Sequence, residues 1–209
     1  MDDNSERQRV RHQQIADAAI AVFAEKGFHQ ARVSDIASRA GVADGTIYLY
    51  FRNKEDILLS IFEEKMDELI VGLKASLEGI VDPVERIRTF AVFHFGQVDR
   101  NQALAEVLQV ELRLSNKFLK EYRPKKLWDY LGILEEIIRD GSATGVFRPD
   151  VEPFLATWAI FGALDELGMQ WVLSRKARRF TVDQTARAVA DTFLHGIVRA
   201  PQPASQEVS

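Results

Sequence analysis

Apolar residues recur every three to four positions along most of this chain, the spacing that places them on one face of an α-helix. In the first helix this face is formed by Ile15, Ala19, Val22 and Phe23. Later helical segments span residues 57–73, 104–114, 127–138, 154–173 and 182–198. No strand-like alternation or internal repeat is evident. The pattern predicts an all-α fold of about nine helices.

Capping residues indicate where the first helices begin and end. Gly27 is suited to end the first helix in the left-handed conformation, and Ser34 to cap the start of the second. Asn53 is expected to cap the fourth helix, because Glu55 and Asp56 follow it and acids are favoured in a first turn. The sequence therefore predicts three helices before a long one that starts near residue 54.

Proline and glycine mark the later boundaries. Asp82 and Pro83 start a fifth helix, with proline in its first turn. Pro124 cannot lie undisturbed inside a helix, so it interrupts the apolar region that follows. A helix end and the next helix start are expected at Gly141, Gly145 and the run 148–150.

The stretch from residue 34 to residue 54 has the spacing of a helix-turn-helix. Ala37 lets two helices approach, Gly41 takes the left-handed turn conformation, and Ile47 anchors the second helix in the core. The exposed positions of that helix are then Gly45, Thr46, Tyr48 and Tyr50. Small, hydroxylated and aromatic side chains at these positions suit contact with DNA.

This stretch resembles the DNA-binding signature of the TetR family of bacterial transcription regulators, from about Arg11 to Lys65. The signature is AEKGFHQARVSDIA followed by AGVADGTIYLYFRNKEDIL. The form VADGTIYLYFRNKEDIL, with QVELRLSN at 109–116 and FGALDELGMQWV at 161–172, is most similar to the branch that represses fatty-acid degradation genes and is released by long-chain acyl-CoA. The resemblance implies a helix-turn-helix domain at 1–53 and a ligand-binding and dimerisation domain at 54–200. The composition of residues 201–209 predicts a disordered tail.

Seven residues are candidates for DNA contact on the residue chemistry and the resemblance. They are Arg32, Ser34, Gly45, Thr46, Tyr48, Tyr50 and Lys54. Hydroxyl and backbone N–H groups at a helix start can bind phosphate, and a threonine methyl can touch thymine. Five alternatives remain: Arg32 as an ordinary surface arginine, Ser34 as an N-cap alone, Gly45 as a loose turn, one tyrosine packing inward, and Lys54 as a plain exposed lysine.

The charge distribution agrees with a DNA-binding N-terminal region. The whole chain carries a formal net charge of −4, but residues 7–54 contain eight basic and four acidic side chains. A modest basic surface on an acidic protein steers it to DNA without holding it on every phosphate. The same charges are also compatible with an ordinary solvated helix surface.

A helix-turn-helix reader works in pairs, so we expect a two-fold homodimer on a pseudo-palindromic operator. The interface is predicted on the last two helices. The final helix offers an apolar face at Val182, Ala186, Val189, Phe193 and Ile197. The helix before it offers Trp158, Gly162, Leu164, Gly168 and Trp171. These faces can equally belong to the core of one subunit.

An apolar and aromatic set in the middle helices is the candidate ligand pocket. The predicted ligand-binding residues are Phe90, Phe93, His94, Leu108, Leu112, Arg113, Asn116, Arg123, Trp128, Leu131, Trp158 and Phe161. Under the acyl-CoA resemblance they enclose a hollow core, and burying about a dozen methylenes there contributes on the order of 10 kcal/mol before costs. The alternative is that they form an ordinary solid core.

Basic residues crowd a short segment beside this set. They are Lys117, Lys120, Arg123, Lys125 and Lys126. Such a cluster would suit the phosphates of CoA at a cavity mouth. A solvated helix face is the alternative.

Several kinds of chemistry lack their usual residues. Zero cysteines exclude disulfides and thiolate metal sites, and the four histidines are scattered. The sequence GSATG at 141–145 lacks the lysine of a phosphate-binding loop. No apolar run approaches the roughly 20 residues of a membrane span, and the first residues are polar, so a cytoplasmic protein is expected. We expect no metal, cofactor or catalytic residue.

Three functions remain in play from the sequence. The first is a TetR-type repressor of fatty-acid degradation genes, released from operator DNA by long-chain acyl-CoA. The second is a TetR-type repressor that responds to another apolar molecule, such as a drug or an aromatic compound. The third is a helical enzyme or scaffold that merely contains a three-helix bundle.

Overall fold

A computed structural model describes residues 3–112, 124–174 and 179–198 of the chain. The predicted tail at 201–209 and the candidate residues Arg113, Asn116 and Arg123 lie outside these ranges. Within them the chain forms nine α-helices and one π-helix, so the all-α prediction is confirmed. They are α1 (Asp3–Lys26), α2 (Val33–Ala40), α3 (Asp44–Ile47), α4 (Lys54–Leu77), α5 (Pro83–Arg100), α6 (Gln102–Glu106), the π-helix (Val107–Glu111), α7 (Lys125–Ala143), α8 (Pro153–Leu173) and α9 (Val182–Ile197).

Most of the predicted helix ends are confirmed. Gly27 follows α1 with φ 74°, and its N–H donates to the carbonyl of Phe23 at 2.9 Å. The Asn53 side chain accepts from the N–H of Asp56 at 2.8 Å, which caps α4. Asp82 caps α5 ahead of Pro83. Local sequence therefore fixes these ends.

The predicted cap at Ser34 is wrong. The N-cap is Arg32, two residues earlier, and α2 begins at Val33; the Asp35 carboxylate accepts a hydrogen bond from the backbone N–H of Arg32 at 3.0 Å. The same carboxylate pairs with the Lys26 ammonium at 2.8 Å. The Lys26 contact, followed by the Arg32 N–H, lowers the pKa of Asp35. An acid at the third helical position thus holds the backbone of the N-cap residue.

Two later boundaries also need correction. The run 148–150 does not start a helix: α8 begins at Pro153, where the Glu152 side chain accepts from the N–H of Phe154 at 3.3 Å. Gly141 lies in the last turn of α7 rather than after it, and the ring of Phe147, 2.2 Å from where a Cβ would be, leaves room only for glycine there. Gly145, with φ 76°, follows the end of α7 as expected.

The helices form two connected bundles. α1, α2 and α3 make an N-terminal bundle around Ile15, Phe23, Ile36 and Ile47, all at most 1 % exposed. α4 leads away from it, and α5 packs at the centre of the second bundle against α4, α7, α8 and α9. α6 and the π-helix contact α1, so they join the two bundles a second time. The division at residues 53 and 54 stays a prediction.

The helix faces predicted for dimerisation are mostly used inside the subunit. Ala186, Val189 and Ile197 are buried, and α9 packs on α5. On α8, Leu164 is fully buried and Trp171 meets the ring of Phe95 edge-on. The intramolecular alternative therefore holds for these buried residues, and dimerisation through the last two helices stays a prediction.

Candidate functional site

A short helix and the turn after it present the candidate reading surface. α3 spans four residues, and the chain then continues in turns whose N–H groups bond to the carbonyls of Thr46 and Ile47. Ile47 anchors the segment in the core at 1 % exposure. Tyr48 is 59 % exposed, and Gly45 has no atom within 4 Å of the position a Cβ would take. Both are therefore accessible to a large partner.

The two candidate tyrosines differ in their surroundings. Tyr50 is half-buried with its ring edge-on to that of His12 at 6.3 Å, whereas Tyr48 points to solvent. Leu49, which sequence reasoning missed, is 81 % exposed beside Tyr48. An exposed leucine at this point can contact a thymine methyl group. In the sequence, Leu49 could have been recognised as a large apolar residue that does not share the buried face of Ile47.

The start of α2 offers a second set of polar groups. Arg32 and Ser34 are both exposed. Ser34 is the second residue of α2, so its backbone N–H belongs to the first turn, where N–H groups have no partner within the helix. A phosphate contact by Ser34 through this N–H and its hydroxyl stays a prediction, although the residue is not the cap.

The ammonium of Lys54 is fully hydrogen-bonded within the protein. Its ammonium donates to the carbonyls of Phe28, His29 and Ala31 at 2.7, 3.1 and 3.3 Å. It also lies 4.6 Å from the centre of the Phe28 ring. An ammonium has three N–H donors, so all of them are used. Phosphate binding by Lys54 would require it to release one of these carbonyls.

Other basic residues of the N-terminal bundle of α1, α2 and α3, the reading head, are also paired. Arg39 makes a two-point contact with Glu25 at 2.7 and 2.6 Å, which ties α2 to α1. Lys26 is held by Asp35. Lys26, Arg39 and Lys54, three of the eight basic side chains counted in this region, are therefore engaged within it.

An apolar cavity of about 390 Å³ lies between α4, α5, α6 and the π-helix. Its wall is formed by Lys65, Glu68, Leu69, Gly72, Phe93, Gln97, Val98, Arg100, Asn101, Leu104, Ala105 and Leu108. Only Phe93 and Leu108 among these were predicted to bind ligand. This volume falls in the range of small-molecule sites. Periodicity could not locate it, because cavity-lining and core residues share the same face of a helix.

Most of the other predicted ligand residues form a file of aromatic rings between α5, α7 and α8. The ring of Trp158 is 5.4 Å from that of Trp128 and 5.9 Å from that of Phe161, which in turn is 5.4 Å from His94. Trp128 is 51 % exposed, so the file runs from the surface inward. Phe90, Leu112 and Leu131 are at most 2 % exposed and pack in the core around it.

His94 carries an unsatisfied group at the inner end of this file. Its Nδ1 lies 3.1 Å from the hydroxyl of Tyr130, while its Nε2 is enclosed without a hydrogen-bond partner. Burial lowers the pKa of His94 to about 4, against an opposing effect of Asp165, so the ring is neutral at pH 7. Burial also raises the pKa of Tyr130. Two neutral groups therefore share the hydrogen bond between Nδ1 and the tyrosine hydroxyl, and Nε2 is left unpaired.

The two described lysines of the predicted phosphate cluster have acidic partners. Lys125 pairs with Asp129 at 2.7 Å, and Lys126 pairs with Asp67 of α4. The hydrogen bond to Asp67 is the main cause that raises the pKa of Lys126. Their charges are thus balanced within the subunit.

The chain matches two family models. The model of the bacterial regulatory proteins, tetR family, covers residues 15–61, and that of the YsiA-like protein, C-terminal region, covers residues 62–196. Neither a helix able to cross a membrane nor a group of three or more potential metal ligands occurs in ranges 3–112, 124–174 and 179–198.

Close relatives cover nearly the whole chain. The chain is 38% identical over 191 residues to the fatty acid metabolism regulator protein of Bacillus subtilis (strain 168), which spans 91% of this chain and 97% of that protein. The fatty acid degradation regulator FadR of Bacillus halodurans superposes with a TM-score of 0.82 at 40% identity, covering 89% of this chain and 95% of that one. FadR of Bacillus subtilis in complex with stearoyl-CoA gives a TM-score of 0.81 at 39% identity, covering 88% and 98%.

Proposed function

The chain belongs to the TetR family of bacterial regulatory proteins, and we propose that it represses fatty-acid degradation genes until a long-chain acyl-CoA releases it from operator DNA. A regulator of operator DNA acts where the chromosome is, so we place it in the cytoplasm, associated with the nucleoid. Its relatives are transcription regulators, and we assign it no catalytic activity. The effector is its ligand, and no further cofactor is needed.

One observation carries the link between ligand and DNA. α6 and the π-helix line the apolar cavity through Leu104, Ala105 and Leu108, and the same two segments contact α1 of the reading head. A chain that fills the cavity therefore touches the elements on which the head rests. Together with α4, which runs from the head to the cavity, they supply a physical route for the effect of the ligand.

The free energy available from an acyl chain is sufficient for release. Each buried methylene contributes about 0.8 kcal/mol, while a tenfold loss of operator affinity needs only about 1.4 kcal/mol of difference between the two states. The ligand shifts the equilibrium only by its differential affinity for the released conformation. A cavity that fits the chain better in one position of α6 than in another meets this condition.

We assign DNA contact to Arg32, Ser34, Gly45, Thr46, Tyr48 and Leu49. All of these except the half-buried Thr46 are exposed. Tyr50 and Lys54 instead support the reading surface from behind, through His12 and through the carbonyls after α1. Because one head offers few contacts, specific affinity depends on two heads bound to successive major grooves.

The dimer we propose uses the outward faces of α8 and α9. Leu155, Leu167 and Leu173 of α8 are 64 %, 37 % and 58 % exposed, and Gly162 between them has open space at its Cβ position. Ala188 and Thr192 are exposed on the adjacent α9. Small and apolar side chains on two neighbouring helices suit a four-helix bundle with a second subunit.

A gel-shift assay with the DNA upstream of the chain's own gene tests the proposal. Wild type should give a specific, salt-sensitive complex that stearoyl-CoA dissolves. Tyr48→Ala should bind about tenfold more weakly with an unchanged melting temperature, because Tyr48 is exposed. Phe180→Ala, which removes an equally exposed ring outside the head, should bind normally.

The possible failures of this assay point to different errors. Absence of any specific complex would favour a helical enzyme or scaffold. A complex that survives every acyl-CoA chain length would reject the effector and retain the repressor.

The aromatic file supports a second candidate effector. Stacked and edge-on rings from Trp128 to His94 suit a planar aromatic molecule as well as an alkyl chain. Under this alternative, an aromatic ligand would release the operator complex, while stearoyl-CoA would not.

A further inference from the structure

The cavity assigned to the acyl chain borders a second, arginine-lined space. The cavity has a volume of about 390 Å³, and the neighbouring groove, between α4, α5 and α9, about 280 Å³. Phe93 and Arg100 line both of them. Arg88 and Arg187 also line the groove. The ring of Phe93 and the guanidinium of Arg100 therefore lie where the cavity and the groove meet.

The charged groups around the cavity are paired, except for Arg100. Lys65 and Glu68 form an ion pair at 2.7 Å. Arg100 is exposed and makes no ion pair or hydrogen bond with any residue that the structure describes. A cation without a partner is thus available at the junction of cavity and groove.

The other two arginines of the groove are held in place by acids. Arg88 contacts Glu85 at 2.6 Å and Asp191 at 2.9 Å, and Arg187 contacts Asp183 at 2.8 Å. Since a guanidinium has five N–H donors, each still has donors left for a ligand. Three acids face these two arginines, so the groove is neutral overall when Arg100 is included, and Arg100 supplies a guanidinium that no described acid holds.

We propose that the groove is the headgroup subsite of this protein and that Arg100 binds a phosphate of the ligand there, while its alkyl chain occupies the cavity. This rests on the proposed acyl-CoA effector and places its polar half. A guanidinium binds phosphate or carboxylate at two points. A free fatty acid would leave the groove empty, whereas a phosphorylated headgroup fills it and uses the remaining donors of Arg88 and Arg187. The headgroup is therefore that of a phosphate-bearing acyl ester.

Isothermal titration calorimetry on the full-length chain tests this assignment, with stearoyl-CoA and free stearate as the two probes. Arg100→Gln should weaken stearoyl-CoA binding about tenfold and reduce its salt dependence, while stearate, whose carboxylate meets Arg100 only from the cavity side, should lose several-fold less. Arg100→Lys should fall between Arg100→Gln and wild type, because the charge remains but the two-point geometry is lost. Arg139→Gln, which removes an exposed arginine of α7 outside both spaces, is the control and should match wild type.

Three results would count against the assignment. Unchanged stearoyl-CoA binding by Arg100→Gln places the headgroup elsewhere and leaves the effector itself intact. Equal losses for stearoyl-CoA and stearate show that Arg100 serves any anion or the cavity wall, which overturns the phosphate subsite. If wild type binds stearate but not stearoyl-CoA, the proposed effector fails together with its headgroup site. Thermal unfolding of each variant verifies that it is folded.

Discussion

The reading head and the ligand-binding half satisfy their polar groups to different degrees. In the head, Lys54 donates to three carbonyls, Arg39 is held at two points by Glu25, and Gln14 donates to the last carbonyl of α2 at 2.7 Å. In the ligand-binding half, polar side-chain atoms of His94, Gln109 and Thr157 are enclosed without a partner. Each such atom costs about 1–3 kcal/mol.

The backbones of the two regions also differ in their regularity. In the head, α1 and α2 end at glycines in the left-handed conformation, whereas the segment between the cavity and α1 is a π-helix, a rare form that is frequent at functional sites. Within it, Gln109 reaches the interior because Gly168 of α8 leaves room, with a would-be Cβ 3.2 Å from its Nε2. The polar groups of the head are thus satisfied in the described conformation. The ligand-binding half keeps buried polar atoms without partners, which a change of conformation can satisfy.

The largest expected effect is on the fixed head. Lys54→Met removes three charge-assisted hydrogen bonds, so the free energy of unfolding should fall by about 2–3 kcal/mol. Operator affinity should fall with it, because the carbonyls after α1 lose their anchor. Chemical denaturation and gel shift measure the two quantities.

Lys74→Met supplies the control for Lys54, since it makes the same change at an exposed site on the same helix. Normal stability of Lys54→Met combined with weak DNA binding would mean that Lys54 contacts phosphate, as first expected from the sequence.

The next effect is a loss of stability at low pH, caused by His94 in the ligand-binding half. His94 has a pKa of about 4 in the folded protein, below its ordinary value of about 6.5, so the unfolded chain takes up the proton first as pH falls. Stability should therefore be lost between about pH 6.5 and 4, with about 2 kcal/mol gone at pH 5. Urea denaturation at pH 7 and pH 5 measures this loss.

His94→Phe should remove that part of the pH dependence, whereas His195→Phe, at an exposed site on α9, should retain it. Equal slopes in wild type and His94→Phe would contradict a buried neutral imidazole.

Gly72→Ala should change the free energy of unfolding least, but it should alter which acyl chain lengths the protein prefers. In Gly72→Ala, the new Cβ would lie 3.0 Å from the ring of Phe93, which must move toward the cavity. The helix gains about 1 kcal/mol from alanine, which offsets the contact. We expect near-normal stability, but binding of stearoyl-CoA about fivefold weaker, with shorter acyl chains less affected, at roughly 1 kcal/mol of lost fit.

Titration with an acyl-CoA length series measures the effect of Gly72→Ala. Gly132→Ala on α7, where no atom lies within 4 Å of the Cβ position, should gain stability and bind every chain length as wild type does. An unaltered length preference in Gly72→Ala would show that Phe93 does not limit the cavity.

Features fixed by neighbouring residues could be predicted from the sequence. Gly27, Asn53 and Asp82 end or begin helices through groups within four residues, and Gly41, with φ 65°, makes the turn of the helix-turn-helix as expected. The exposed tip at Tyr48 follows from Ile47 in the same way.

Features that depend on distant packing could not be predicted. The partners of Lys54 are 23 to 26 residues away, and no periodicity points to them. Phe90 and Phe93 look alike in the sequence, yet one is fully buried and the other forms a cavity wall. The difference lies in how α4 and α6 approach α5, which only the folded chain determines.

The bridge between Phe147 and Val198 has a practical consequence for handling the protein. With the hydrogen bond from the N–H of Arg148 to the carbonyl of Ile197 at 2.8 Å, it fastens the end of α9 beside the loop after α4. α4 is about 36 Å long and separates this loop from the turn that carries Tyr48. A fluorophore or surface tether joined beyond Val198 would thus leave the opposite pole free to engage a duplex.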